Sequence, residues 1–100
     1  MAEIKWAESA HHLPIEGFSP NPKNPKKHTK KQLEHIRNSI LHFGFLDPIG
    51  VWGKDHVVVE GNGRLEALKQ LVQDGKIRIP AEGVPCIMLD HLSKRDRDAY

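Results

Sequence analysis

The residues best suited to chemistry lie in one short stretch, Glu60-Gly61-Asn62-Gly63-Arg64-Leu65-Glu66. Glycine tolerates backbone angles closed to other residues and lets a ligand approach the main chain. Arg64 adds a permanent charge carried on a planar fork of donors. A helix that starts from Leu65 presents free N–H groups and the positive end of its dipole at the same place. Such a corner suits phosphate. It matches neither G-x-G-x-x-G nor G-x-x-x-x-G-K-[ST], so the two common nucleotide fingerprints do not apply. The plainer alternative is a strand-to-helix corner whose glycines only permit close packing. Glu60 and Glu66 are the carboxylates that a metal-dependent reaction here would use as ligand or base. Asp47 and Asp55 complete the nearby acids, and no D-x-D pair occurs among the four.

A second chemical feature precedes the corner. Lys23, Lys26, Lys27, Lys30 and Lys31 fall within nine residues, and Pro20, Pro22 and Pro25 punctuate the same segment. Proline at this density disfavours helix and central strand and gives a stiff, extended arm. The arm reads either as a solvated basic loop or as an anion-binding element. The remaining reactive side chains are quieter. His11 and His12 are adjacent, and His35 and His42 lie seven apart on the polar face of a helix, so no metal site is assigned. Cys86 has no base beside it in sequence and reads as a small core residue.

Certain elements must position these groups. Val57, Val58 and Val59 are a β-branched run that suits a buried strand. Leu65, Leu68, Leu71 and Val72 give the apolar stripe of the helix that follows, which runs to about Gln73 and stops at Gly75. Ile49 to Trp52 is a strand that pairs with the valine strand through a Gly53-Lys54-Asp55 turn. Thr29-Lys30-Lys31-Gln32 is a capping box that opens a helix with Leu33, Ile36 and Ile40 inside, and Gly44 closes it. Leu13 to Ile15 and Val84 to Leu89 read as further strands, Ile4 and Trp6 as a short edge strand, and Ser93 starts a last helix.

The chain is 100 residues long, one domain's worth, with a net charge of +2. The charge is too small for a polycation, so any argument about nucleic acid rests on local charge. No apolar run approaches the roughly 20 residues of a membrane span. The start, Met1-Ala2-Glu3-Ile4-Lys5-Trp6, has no signal-peptide apolar region, and a single cysteine allows no internal disulfide. These features fit a cytoplasmic location. The pattern is still helical at Tyr100, which reads as residues 1–100 forming one domain of a longer protein.

Two boxes in this order resemble the ParB/sulfiredoxin-like superfamily, in its ParB N-terminal (ParB-like nuclease) domain branch. The first is Pro20-Asn21-Pro22-Lys23-Asn24-Pro25-Lys26, with Ser39-Ile40, Gly44 and Pro48-Ile49 further on. It is similar to a P-N-P-x-x-P-R arm followed by S-I-x-x-x-G-x-x-x-P-I. The second is Gly61 to Ala67, similar to G-E-R-R-x-R-A. The resemblance implies an α+β fold with a small mixed β-sheet and three to four helices. It implies a site for CTP or another NTP, with Mg2+, in which Gly61, Asn62, Gly63 and Arg64 form the phosphate box beside Lys23, Lys26 and Lys27. It also implies work in DNA transactions (partition, phage or methyltransferase-linked processing), with DNA bound through the full-length protein and a homodimer that depends on nucleotide. The glycine-x-glycine-arginine form looks most like phage and mobile-element members.

The chain departs from the box at three positions. Asn62 stands in place of Glu, so CTP hydrolysis loses its acidic group. Gly63 and Glu66 stand in place of two arginines, and a carboxylate at 66 is expected to repel phosphate. Sulfiredoxin chemistry needs a cysteine in this box, where Asn62 stands. The alternative on the same fold is a metal-dependent nuclease or small-molecule kinase with Glu60 and Glu66 as catalytic residues, or a DNA- or protein-binding module without nucleotide.

Overall fold

The computed structural model describes residues 2–21 and 27–99. Strands β1 (His11–Leu13), β2 (Ile49–Trp52), β3 (Val57–Glu60) and β4 (Val84–Met88) form one sheet in the order β1-β4-β2-β3. The sheet is mixed. β4 runs parallel to β2, with Ile49 opposite Cys86 and Val51 opposite Met88. β4 is antiparallel to β1, and β2 to β3. Three helices, α1 (Lys30–Phe43), α2 (Asn62–Gln73) and α3 (Lys94–Ala99), and a 3-10 turn at Ile15–Gly17 complete the fold. It is the small mixed α+β architecture expected.

The local reasons are mostly those written in the sequence. Thr29 Oγ1 accepts from the Gln32 N–H at 3.1 Å, and Gln32 Oε1 accepts from the Thr29 N–H at 2.9 Å, so both halves of the capping box form. Leu33 and Ile40 turn inward from α1. Gly44 ends that helix at φ 100 and donates its N–H to the Ile40 carbonyl. The core joins Ile40 to Leu65, Leu68 and Leu71 of α2 and to Ile49, Val51, Val58, Val84 and Cys86 of the sheet. α1 and α2 pack against each other.

Four local expectations change. The first strand is His11–Leu13 and stops before Pro14, whose carbonyl instead accepts from Gly17 N–H in the 3-10 turn. The edge strand expected around Ile4 and Trp6 reduces to a single bridge between Trp6 and Phe45, whose rings lie 5.6 Å apart. The hairpin loop takes in His56, which sits at φ 53. Finally, α2 begins at Asn62, three residues before Leu65.

Candidate functional site

β3 leaves the sheet at Glu60, and Gly61 makes the turn into α2. Gly61 has φ 99 and ψ 19, the left-handed region. A Cβ there would lie 2.8 Å from Ile49 Cδ1 and 3.0 Å from Arg64 Nη2. Glycine is therefore required twice over, by backbone angle and by space. Gly61 has no side chain to cap the first turn of α2. That turn carries free N–H groups and the positive end of the dipole. Asn62, Gly63 and Arg64 lie within it.

Arg64 folds back over Gly61. Its Nη2 donates to the Pro48 carbonyl at 3.0 Å. Its Nε is buried and has no hydrogen-bond partner. The side chain borders a cavity of about 280 Å³ between the end of α1 and the loop before β2, which Ser39, Phe43, Leu46 and Asp47 also line. Phe43 and Leu46 are exposed apolar side chains at its mouth.

Glu66 does not share this cavity. With Asn62, one turn away, it lines a separate hollow of about 240 Å³ together with Phe18, Pro20 and Lys69. Residues two apart on a helix point about 200° from each other. The repulsion expected between Glu66 and an anion on Arg64 is thereby reduced. Glu60 is exposed at the end of β3. Lys27 is exposed just before α1, while Lys23 and Lys26 lie outside the described residues. The structure thus puts Gly61, Asn62, Gly63 and Arg64 in one helix start, and it sets the side chains of Asn62 and Glu66 together in one hollow, apart from the cavity that Arg64 borders.

Among the described residues, no three His, Cys, Asp or Glu side chains come together to hold a metal ion. His35 and His42 are exposed on α1. Cys86 is fully buried in β4, and burial pushes its thiol pKa up, away from the reactive thiolate. No described helix is long and apolar enough to cross a membrane.

One neighbour of the corner was not singled out by its sequence. His28 precedes the Thr29 cap of α1, and its Nε2 lies 2.8 Å from where a Cβ on Gly63 would be. No local signal marks it, because α1 packing across α2 brings it there.

Comparison with known proteins agrees with the fold. The family model described as the ParB N-terminal domain matches residues 2–91. A probable chromosome-partitioning protein ParB of Campylobacter jejuni is 37% identical over 62 residues, covering 59% of this chain and 22% of that protein. The ParB-like nuclease domain-containing protein YnaK of Escherichia coli is 27% identical over 84 residues, covering 84% of this chain and 86% of YnaK. Among solved structures, the C-terminally truncated chromosome-partitioning protein ParB of Caulobacter crescentus, complexed with CTPγS, superposes with a TM-score of 0.66 at 25% identity. That match covers 89% of this chain and 48% of the other, so the chain spans about half of that protein and less of the Campylobacter one.

Proposed function

Because the chain belongs to the ParB N-terminal domain family, we propose that its Gly61–Arg64 corner binds a nucleoside triphosphate, CTP or another NTP, in DNA transactions of the partition type. The observation that carries the reading is the state of Arg64. Its guanidinium is held at a helix start by one bond to the Pro48 carbonyl, while its Nε is buried without a partner. A buried polar nitrogen of this kind calls for an explanation, and a phosphate oxygen is a fitting partner for it. The similarity to a ParB complexed with CTPγS supports the same ligand class.

The parts divide the work. The free N–H groups of α2 and the Arg64 guanidinium take the phosphates. Lys27 adds charge from the segment before α1, and Lys23 and Lys26 extend that charge by sequence. The cavity beside Arg64 receives the base and ribose. Phe43 and Leu46 give it apolar walls, and Ser39 and Asp47 offer a hydroxyl and a carboxylate for hydrogen bonds. A Mg2+ accompanying the nucleotide would neutralise phosphate charge, and among the described residues no cluster of three His, Cys, Asp or Glu side chains would hold it by itself. Asn62 has an amide where hydrolysis would need a base, so the reading is a binding module that holds nucleotide. DNA binding belongs to the full-length protein, with Lys27, Lys30 and Lys31 as local cationic contacts of the salt-sensitive kind.

Calorimetric titration of CTP, ATP and GTP, with and without Mg2+, tests this. Base-selective binding is expected, and Arg64→Ala should weaken it by about 10- to 100-fold, the worth of a charge-assisted hydrogen bond. Equal affinity in Arg64→Ala, or no binding of any nucleotide, overturns the proposal.

A further inference from the structure

Two opposite charges border the cavity beside Arg64 and do not pair with each other. Asp47 lines that cavity together with Arg64. It directly precedes Pro48, whose carbonyl accepts from Arg64 Nη2 at 3.0 Å. The ion pairs found among the described residues join Arg37 to Asp74 and Arg97 to Asp98, and Asp47 belongs to neither.

The backbone explains how the carboxylate is held there. α1 ends at Phe43 and β2 starts at Ile49. Between them, Phe45 is buried, its N–H donates to the Lys5 carbonyl at 2.7 Å, and its carbonyl accepts from the Ala7 N–H at 2.7 Å. Ile49 is fully buried. Leu46 and Asp47 therefore occupy a short span fixed at both ends, with Arg64 clamping Pro48. Position 47 is one that the resembled S-I-x-x-x-G-x-x-x-P-I motif leaves open, so the carboxylate belongs to this chain.

Resting on the nucleotide reading above, we infer that Asp47 sets base specificity, its carboxylate accepting a hydrogen bond from an exocyclic amine of the base. A carboxylate repels phosphate, so it turns the phosphates toward Arg64 and the start of α2 and leaves the base end to face position 47. Ser39 and a neutral His35 each donate and accept, and Arg64 only donates. Among the side chains that line the cavity, Asp47 alone accepts without donating. Such a group separates an amine from a carbonyl oxygen at the same place on a ring, since it accepts from the first and is repelled by the second. Phe43 and Leu46 at the mouth of the cavity lessen the water around the contact, which strengthens the discrimination.

The test compares nucleotides that differ in an amine against a carbonyl oxygen at one ring position: CTP with UTP, and ATP with ITP. The wild-type chain should bind the amine-bearing member roughly tenfold or more tightly. Asp47→Asn, whose amide presents either a donor or an acceptor, should bring the two affinities of a pair close together, and so should Asp47→Ala. Asp47 is exposed, so both variants should keep the fold. Equal affinities within both pairs in the wild-type chain overturn the inference and leave the nucleotide site standing. A preference for the amine that persists undiminished in both variants overturns it as well. A wild-type chain that takes up none of these nucleotides overturns the nucleotide reading and this inference with it.

Discussion

Arg97 lies with its guanidinium 4.7 Å above the Trp52 ring and donates to Asp98 through Nε at 2.9 Å, while Nη2 sits 2.7 Å from the same carboxylate oxygen. Arg64 has one hydrogen bond, to the Pro48 carbonyl, and a buried Nε with none. The two arginines stand at opposite ends of the chain's helical elements, Arg64 in the first turn of α2 and Arg97 near the end of α3. Arg97 is 6% exposed and satisfied by its own fold. It pins α3 to the end of β2, where Trp52 Nε1 also donates to the Leu92 carbonyl at 2.7 Å. Arg64 borders a cavity with donor capacity left over. The two side chains carry the same charge and differ in the balance of donors against partners already in place.

The comparison can be broken most severely at Gly61. Gly61→Val forces a β-branched residue to φ 99 and drives it into Ile49 and Arg64. Stability should fall by about 2–3 kcal/mol in urea titration, and nucleotide binding should vanish because the Arg64 side chain is displaced. A valine variant of wild-type stability would show that the corner tolerates a side chain.

Exchanging the two arginines sharpens the contrast. Arg64→Ala should weaken nucleotide binding by about 10- to 100-fold while its urea midpoint stays near wild type. Arg97→Met should do the reverse, losing about 1–2 kcal/mol of stability from the cation–π contact and the buried stem with affinity retained. Equal effects of the two substitutions on affinity would end the distinction.

The smallest effect is in acid. A hydrogen bond from Arg97, against an opposing desolvation that is second in size and with help from the Arg97 charge, a hydrogen bond from Asn21 and the Lys94 charge, holds the Asp98 carboxyl below its ordinary value of 3.8. A carboxylate lowered in the folded state adds stability above its unfolded pKa. That contribution is lost as pH falls through the lower, folded value. Asp98→Asn should therefore flatten the part of the stability profile below about pH 4, with nucleotide affinity unmoved. An unchanged acid limb would show that the pair with Arg97 contributes nothing to folding.

Much of this was legible in the residues. The capping box of Thr29 and Gln32, the stop at Gly44, the valine strand and the leucine stripe of α2 depend on hydrogen bonds or periodicities that span a few residues. The hairpin of β2 and β3 follows from the same local rules. Positive φ at His56 does not: histidine adopts it more often than most residues do, yet the same residue type is found at ordinary angles elsewhere in the chain.

Gly61 and Gly63 look alike in sequence, and their difference is tertiary. Gly61 is glycine for its left-handed backbone, Gly63 because His28 and Ile36 occupy the space beside it. The pairing of His11 with Cys86 joins distant parts of the chain and has no local signal. The division of Arg64 from Glu66 follows from helix geometry, but only once α2 is known to start at Asn62. Sequence alone determined the two longer helices, the β2–β3 hairpin, the family boxes and the glycine–arginine corner, since each is encoded within a short window or a fixed order of motifs. Tertiary structure decided which buried nitrogens find partners. Pro48 and Trp52 reach their arginines only through packing, whereas Asp98 is the chain neighbour of Arg97, and a donor left unsatisfied is defined by every element around it.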